Sequence, residues 1–599
     1  MRKHLPIFII FGILTIVLTY PLVFKINSFI PGFEFTDEPY GSIWQFWTVG
    51  YSWRNNMPLW HTPLIGHPFG VDLFTTGYIP SLYILLTFSL SIITTPIIAY
   101  NLPLIFNIFL SGFFVYLLVF YLTKNRFSGV FSGMAFAFCP YQFSRLWQHP
   151  TLTYNEWIPL VLLSAILLKE KFSKATAVLF FCSILLLYSF DLHITLFGSF
   201  VLFVFMVYSL FFNWKAKFFK KHALFNDDIK YFKRLSVILI LAFIILSWQY
   251  FGFLNKTLKF SASTSASATN PYRRPFEDLF SQSAKPLSYL LPSAQHPIFG
   301  KFTEYFVGDF LYGKSYTEHA LYLGWTAMIL SFIAFRFWRK KNRLSGNGNK
   351  ALEQRENFAI GYFVFLVIVA WLFSQPPWWK FGSLRIYLPS YFMYKIIPMV
   401  RAYCRFGIIV MLGVACLAGF GLKFILEKFK TNASKISVTF FLSSLLLFEF
   451  INFPPFKVID TSKHPKVYDW LKDEPKDLVI AEYPLDIKGQ NEMYKFFQTV
   501  HHKSIINGTV PGTKANEVAR QIVNLSDPNT ASVLKWLGVK YVLVHTSSYE
   551  ASNLLSDKRE LENIKRNKKL KFIKNFDDID VYEVVATPVE PDMNLKEVK

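Results

Sequence analysis

The amino-acid sequence predicts a mainly α-helical polytopic membrane protein with about eleven transmembrane helices and a small C-terminal α/β domain on the extracytoplasmic side. The 599 residues are 53% hydrophobic and only 17% charged, whereas soluble proteins are about 25% charged. Apolar runs of about 20 residues, the length that crosses the hydrocarbon core of a bilayer, recur through most of the chain. The C-terminal part has instead the short apolar runs that are typical of buried strands.

The formal net charge of +23 belongs almost wholly to the apolar part. Residues 456–599 hold 22 Lys and Arg against 21 Asp and Glu, while residues 1–455 hold 40 against 18. Nucleic-acid binding requires basic residues gathered on a soluble face, so this distribution argues against a nucleic-acid partner. We therefore predict a transmembrane domain at 1–455, with outer loops at 25–101 and 255–319, and an extracytoplasmic α/β domain at 456–599.

Twelve hydrophobic segments are visible, and the basic residues decide which of them cross the bilayer. Lys and Arg near the ends of spans mark cytoplasmic loops. The basic clusters all lie on one side only if residues 78–99, which Pro80 and Pro96 interrupt, form interfacial or re-entrant helices. The sequence thus predicts a multi-pass plasma-membrane protein with a cytoplasmic N-terminus and an extracytoplasmic C-terminal domain. The eleven predicted spans begin near residues 5, 102, 127, 157, 175, 194, 236, 320, 358, 406 and 436.

The C-terminal domain alternates predicted strands with predicted helices, which is the pattern of an α/β fold. Residues 477–483 and 539–545 have the composition of buried strands, and residues 571–575 and 580–585 have the pattern of a hairpin. The predicted helices lie at 492–501, 514–525, 530–537 and 556–569.

Two adjacent carboxylates, Asp37 and Glu38, follow the first span in the segment FEFTDEPYGSIWQFW. Burial near an apolar boundary raises the pKa of a carboxyl group, which suits a general base. We predict both as catalytic candidates. The alternative is a solvated acidic turn before Pro39.

Candidate substrate-binding residues lie on the next two outer loops, SRLWQHPTLTYNEW and SFDLHI. An ionisable residue at the edge of a span is energetically expensive and indicates function. Two of them, Asp191 and His193, could instead cap helix ends and pair locally. The candidates are Arg145, His149, Glu156, Asp191 and His193.

Four arginines are predicted on the outer side: Arg273 and Arg274 in NPYRRPFED, and Arg401 and Arg405 in MVRAYCRF. The guanidinium group presents a planar fork of donors to phosphate oxygens, so we predict a substrate-binding role for the first pair. The alternative is anchoring to lipid headgroups. Histidines and carboxylates also bind metals, but their spacing here is not diagnostic, and the sequence leaves the metal and any other cofactor unknown.

With these residues identified, the chain resembles the GT-C superfamily of polytopic glycosyltransferases, and within it bacterial membrane proteins of the YfhO type. The resemblance lies in NNMPLWHTPLIGHPFG (55–70), SGMAFAFCPYQFSRLWQHPTLTYNEWIPLVLL (132–163), PLSYLLPSAQHPIFG (286–300) and RAYCRFGIIVMLGVACLAGFGL (401–422). In the C-terminal domain it extends to VYDWLK and WLGVKYVLVH. The match covers most of the chain at the level of pattern, without a catalytic signature.

The resemblance implies a GT-C-like fold and an inverting transferase that moves a sugar from a polyprenyl-phosphate donor to a cell-envelope acceptor at the outer membrane face. It implies a first-loop carboxylate as base, for which Asp37 is the matching position and Glu38 the near alternative. The outer domain lacks a WWD-type signature, so peptide N-glycosylation is not expected.

Two other functions remain open at the level of sequence. A transporter or flippase of lipid-linked saccharides would place polar groups near the bilayer midplane, and Glu449, inside the last predicted span, favours this reading. A structural role in envelope assembly would leave the acidic residues solvated.

Overall fold

The computed structural model describes residues 2–32, 37–73, 78–219, 224–262, 274–305, 316–343, 350–451, 457–485, 490–511, 513–550 and 555–592. The described chain before residue 452 is mainly helical. Its α-helices are Leu5–Leu18, Glu38–Arg54, Ser81–Ile93, Pro96–Thr123, Arg126–Ala137, Pro140–Trp147, Trp157–Glu170, Lys174–Tyr188, Leu192–Phe219, Leu224–Ala262, Asp278–Ser281, Trp325–Arg343, Lys350–Ser374, Pro389–Ile396, Gly407–Leu426 and Asn432–Phe450. Its short strands are Phe29–Pro31, His61–Thr62, Val71–Asp72, Trp378–Phe381 and Leu384–Tyr387.

Seven helical segments in the described part of the chain are long and apolar enough to cross a membrane. Some of them include an adjoining 3-10 turn, such as Pro150–Thr153 or Tyr403–Phe406. The seven segments are Pro96–Thr123, Pro150–Glu170, Leu192–Phe211, Lys230–Asn255, Gln354–Ser374, Tyr403–Leu426 and Asn432–Phe450.

The predicted number of eleven spans is not confirmed. Two predicted spans form the shorter apolar helices Leu5–Leu18 and Lys174–Tyr188, and a 14-residue helix is only about 21 Å long. The span predicted near residue 127 is divided into two helices at Pro140, because a proline disfavours the helical conformation of the residue before it. The segment predicted near 320 becomes helical only at Trp325. The interrupted segment at 78–99 contains the short helix Ser81–Ile93.

Close helix packing in the membrane part depends on small residues, which allow two backbones to approach. A Cβ atom added to Gly421 would lie 1.9 Å from the carbonyl oxygen of Leu330, and one added to Gly133 would lie 2.4 Å from the carbonyl oxygen of Gly112. Trp325–Arg343 therefore packs backbone against backbone on the Gly407–Leu426 helix.

The C-terminal residues contain a five-stranded mixed sheet. Its strand order is Leu570–Phe576, Ile579–Val584, Val539–His545, Val479–Tyr483 and Ser504–Ile505. The last three strands are parallel to one another, while the first two pair antiparallel. The strand predicted at 539–545 coincides with an observed strand, whereas the one predicted at 477–483 begins only at Val479. Ser504–Ile505 was not predicted, because two residues give no periodicity. The associated helices are Lys466–Asp473, Gln490–His501, Lys514–Gln521, Pro528–Trp536, Thr546–Glu550 and Leu555–Arg566.

The C-terminal residues pack directly on the segment that follows the Leu5–Leu18 helix. Strand Phe29–Pro31 pairs antiparallel with Val458–Asp460. The Gln490–His501 helix lies on the Glu38–Arg54 helix, where the indole N–H of Trp44 donates to the Gln498 side-chain oxygen at 2.7 Å. The two parts thus form one unit. The predicted domain boundary at 455/456 adjoins residues outside the described ranges and stays a prediction.

Gln498 is expected to hold this contact together. Its side chain is fully buried, and its amide nitrogen also donates to the carbonyl oxygens of Leu64 and Lys503, both at 2.7 Å. Gln498→Leu would leave the buried indole N–H of Trp44 and the carbonyl oxygen of Lys503 without this partner, each at a cost of about 1–3 kcal/mol, while the carbonyl oxygen of Leu64 keeps its bond from the Ile505 N–H. We expect a clear fall in the apparent melting temperature in nanodiscs. Gln521→Leu, at a partly exposed glutamine, is the matched control, and an equal fall in both variants would contradict this role.

Candidate functional site

A cavity of about 970 Å³ lies between the segment that follows the Leu5–Leu18 helix, the start of several apolar helices and the C-terminal residues. His149 directly precedes the span Pro150–Glu170, and Arg401 lies two residues before the span Tyr403–Leu426. The cavity therefore lies at the end of the bundle where these two spans begin. It is lined by Asp37, Glu38, Gly41, Ser42, Trp44, Gln45, Ile65, Val71, Asp72, Leu73, Gln148, His149, Glu277, Asp278, Ser281, Gln282, Glu318, Arg401, Glu492, Lys495, Gly508 and Val510.

Asp37 and Glu38 enter the cavity from the start of the Glu38–Arg54 helix. Asp37 occupies the residue position before the helix, where an aspartate usually caps the first backbone N–H groups. Here its side chain makes no capping hydrogen bond. Its carboxylate is thus available to the cavity. Glu38 is instead held by the Nδ1 atom of His149.

His149 connects two carboxylates of the cavity wall. While Nδ1 contacts Glu38, its Nε2 atom lies 3.8 Å from Glu318 Oε1. The backbone of His149 is in the left-handed region, with φ of +66°. A non-glycine residue in this region persists where its surroundings fix it, and such residues cluster at functional sites.

Glu318 is the most strongly bound charge of the site. Its side chain is 3% exposed and lies between two guanidinium groups. Arg145 Nη2 donates to Oε2 at 2.8 Å, and Arg405 donates to Oε1 through Nη2 at 2.6 Å and Nε at 3.1 Å. The Cys404 thiol donates to Oε2 at 3.2 Å. Burial alone would raise the pKa of Glu318, but the charges of Arg145 and Arg405 outweigh it and hold this pKa well below its ordinary value.

The charged network continues from Arg405 to the turn that precedes the Leu192–Phe219 helix. Arg405 Nη1 donates to His193 Nε2 at 3.3 Å, and His193 Nδ1 lies 3.4 Å from Asp191 Oδ1. Asp191 Oδ1 also accepts from the backbone N–H groups of His193 and Ile194, at 2.7 and 3.3 Å. Asp191 therefore caps the Leu192–Phe219 helix, the local role that the sequence left open for it.

The other predicted site residues that the structure describes do not line the cavity. Arg145 is completely buried, with its guanidinium over the ring of Tyr141 at 4.8 Å, so it acts through Glu318. Glu156 is buried at the start of the Trp157–Glu170 helix, and its Oε2 atom has no hydrogen-bond partner among the described residues. Arg274 is exposed, with its backbone bonded to Pro398. Arg273 lies outside the described residues.

The lining residues that were missed as site candidates from sequence include Glu318, Glu492 and Lys495. Glu318 and His319 directly precede an apolar stretch, just as Asp37 and Glu38 follow one, and this signal could have found Glu318. Glu492 and Lys495 lie in the distant C-terminal segment, where their sequence is that of an ordinary helix with an i, i+3 ion pair of 2.7 Å. Only the fold brings them to the cavity.

Among the described residues, the cavity combines the uncapped carboxylate of Asp37 with cations that are already paired. Arg401 Nη1 is 3.1 Å from Asp278 Oδ2, and Lys495 is paired with Glu492. A carboxylate near a bound hydroxyl can accept its proton, and guanidinium or ammonium groups can neutralise phosphate oxygens. No group of three or more His, Cys, Asp or Glu side chains that could hold a metal ion occurs among the described residues.

The fold is similar to that of known membrane glycosyltransferases. The cryo-EM structure of the arabinofuranosyltransferase AftD from Mycobacteria aligns with a TM-score of 0.52 and 13% identity, over 97% of this chain and 40% of AftD. The archaeal oligosaccharyltransferase AglB from Archaeoglobus fulgidus, solved with an inhibitory peptide and dolichol-phosphate, gives 0.48 and 12%, over 99% and 75% of the two chains. ArnT from Cupriavidus metallidurans, bound to undecaprenyl phosphate, gives 0.47 and 8%, over 98% and 99%.

The class of the protein follows from this fold. At such identities the likeness concerns the fold alone, and it is carried by AftD, of which this chain spans less than half the length. The structure thus combines a fold similar to that of AftD with helices that are long and apolar enough to cross a membrane.

The family is defined separately. Residues 12–445 match the model described as "Domain of unknown function (DUF6311)", and the chain belongs to this family. The narrower resemblance to YfhO-type proteins is not confirmed. None of the curated proteins matches the sequence.

Removing the charge of Glu318 is expected to destabilise the whole cavity wall. Glu318→Gln would leave Arg145 and Arg405 buried without a counter-charge, and breaking a buried pair in this way costs about 3–5 kcal/mol. Thermal unfolding of purified protein measures the loss. Asp278→Asn removes the partner of Arg401 in a partly exposed pair, which is worth about 1 kcal/mol or less, and is the control. Equal stability of the Glu318→Gln variant and the wild type would contradict this assignment.

Because of Glu318, the thermal stability of the protein is expected to fall at acid pH. Because the folded-state pKa of Glu318 is depressed, its contribution is complete above the ordinary glutamate pKa of about 4.3 and is lost as the pH falls toward the folded-state value. The melting temperature of the wild type should therefore fall below about pH 4.3 more steeply than that of Glu318→Gln. Parallel pH profiles of the two proteins would be inconsistent with a depressed pKa.

Proposed function

We propose that this protein is a membrane glycosyltransferase that moves a sugar from a polyprenyl-phosphate donor to a cell-envelope acceptor at the extracytoplasmic face. The proposal also includes two predictions made from the sequence. The N-terminus is cytoplasmic, and the protein is related to membrane proteins of the YfhO type. One observation carries it: the uncapped carboxylate of Asp37 opens into a large cavity at the end of the membrane bundle. The GT-C fold supports the same reaction class.

The chemistry assigned to Asp37 is that of a general base. An acceptor hydroxyl would give its proton to Asp37 while its oxygen forms a bond to the anomeric carbon of the donor sugar. The bond from this carbon to the phosphate oxygen breaks, and the polyprenyl phosphate leaves with the electron pair, so that the configuration inverts. Glu38 is the less suitable base, because His149 already holds it.

The cations that would receive the leaving phosphate are those that line the cavity. Arg401 lies on its wall, and the imidazole of His149, between Glu38 and Glu318, is a second polar group that the phosphate would contact. Arg145 was predicted for this task from sequence, but it lies behind Glu318. Its proposed task is to position Glu318.

Glu449 was the residue that favoured a transporter in the sequence, and its contacts are those of a helix cap. The carboxylate of Glu449 accepts hydrogen bonds from the Thr326 hydroxyl at 2.6 Å and the Thr326 backbone N–H at 3.2 Å. It thereby satisfies a donor at the start of the Trp325–Arg343 helix. This capping role accounts for a carboxylate inside a span without a transport pathway.

Asp37→Asn is expected to abolish transfer without unfolding the protein. General-base catalysis contributes about 10²–10⁴-fold, and an amide cannot accept the proton. Purified protein would be given polyprenyl-phosphate sugars with a cell-envelope acceptor extract, and the glycosylated product and its anomeric configuration would be measured.

Asp473→Asn, at an exposed carboxylate of the C-terminal part, is the control and should keep full activity. Full activity of Asp37→Asn would refute the base assignment. Movement of the lipid-linked sugar across vesicles without product formation would favour a transporter instead.

A further inference from the structure

In the described part of the chain, a hairpin between two membrane spans is exposed over most of its length. Strands Trp378–Phe381 and Leu384–Tyr387 pair antiparallel between the spans Gln354–Ser374 and Tyr403–Leu426. The turn contains Gly382 with φ of +58°. Residues 380–387 are all exposed.

The exposed residues of this hairpin are strongly apolar. Phe381 is 62% and Leu384 is 60% exposed, and Ile386 and Tyr387 are also exposed. An isolated two-stranded hairpin is at best marginally stable in water, and a contiguous apolar patch usually marks a site of interaction. The tip of the hairpin therefore requires an apolar environment.

The charged residues of the hairpin and of its flanking sequence are all positive. Residues 375–401 contain Lys380, Arg385, Lys395 and Arg401 and not a single Asp or Glu. Lys380, Arg385 and Lys395 are exposed. Aromatic residues together with basic ones are typical of segments that lie at the membrane interface, where cations attract anionic lipids.

The base of the hairpin is fixed close to the end of a span. Trp378 stacks on Phe276 with ring centroids 5.5 Å apart, and Trp379 contacts Trp371 at 5.7 Å, which lies within the span Gln354–Ser374. Four peptide steps from Ser374 to Trp378 reach at most about 14 Å. The hairpin thus begins at the boundary of the bilayer.

We propose that the hairpin 378–387 inserts its apolar tip into the adjacent leaflet of the bilayer, while Lys380 and Arg385 bind the phosphate groups of anionic phospholipids. The apolar tip, the uniformly positive charge and the continuity with a span all fit a lipid surface. The proposal does not depend on the glycosyltransferase function.

Spin labels on the full-length protein in nanodiscs test the insertion. The background is Cys182→Ser, since Cys182 is exposed and Cys139, Cys404 and Cys416 are buried. Labels at Leu384→Cys and, independently, Phe381→Cys are expected to collide several-fold more often with oxygen, which concentrates in lipid, than with a water-soluble nickel chelate. Phe572→Cys, at a 53% exposed position on a C-terminal hairpin, is the control and should show the opposite preference.

Nanodiscs of phosphatidylcholine alone and with phosphatidylglycerol test the charge. The oxygen preference at residue 384 should rise with phosphatidylglycerol, and Lys380→Glu with Arg385→Glu should abolish that rise. A nickel preference at both 381 and 384 would overturn insertion. Low collision with both reagents, together with dipolar broadening between labels, would identify a second copy of the chain as the occupant and would also overturn it. An unchanged response to phosphatidylglycerol in the doubly substituted protein would overturn the lipid-phosphate contact.

Discussion

The cavity depends on one buried interaction, the carboxylate of Glu318 between the guanidinium groups of Arg145 and Arg405. Two charges of one sign need a counter-charge when they are removed from water, because an unpaired buried ion is far more costly than a paired one. Glu318 therefore fixes the relative positions of three segments that are distant in sequence. From Glu318, polar contacts extend through His149 to Glu38 and through Arg405 to His193. The wall of the cavity is thus a single charged network.

The opposite wall comes from the C-terminal residues, and it is attached by a different kind of contact. The buried side-chain amide of Gln498 accepts a hydrogen bond from the indole N–H of Trp44 and donates one to the backbone carbonyl of Leu64. Lys495, from the same helix, lies over the ring of Trp44 at 5.2 Å and lines the cavity with Glu492. The membrane part therefore supplies the uncapped Asp37 and the bound Glu318, while the C-terminal part forms the facing wall of the cavity. Neither part encloses the cavity alone.

Much of this architecture could be predicted from sequence, because hydrophobic runs and short apolar strands are local signals. Seven of the predicted spans have matching long helices, whereas Leu5–Leu18 and the division at Pro140 show how length and proline override an apolar run. For the site, the two adjacent carboxylates Asp37 and Glu38 were the local signal that pointed to this region, and both line the cavity together with His149. The pairing of Arg145 with Glu318, 173 positions apart, could not be predicted, since no local pattern specifies a tertiary ion pair. For Asp191 the sequence offered both a helix cap and a substrate ligand, and the hydrogen bonds from the backbone N–H groups of His193 and Ile194 favour the cap.

The central claim is that the cavity beside Asp37 binds the phosphate of a lipid-linked sugar. Its most direct test is a cryo-EM structure of the full chain in nanodiscs that contain a non-hydrolysable polyprenyl-phosphonate sugar. The account predicts headgroup density in this cavity, with phosphonate oxygens within hydrogen-bond distance of Arg401 or His149 and the anomeric carbon facing Asp37. Headgroup density elsewhere in the molecule, with the cavity beside Asp37 unfilled, would contradict it.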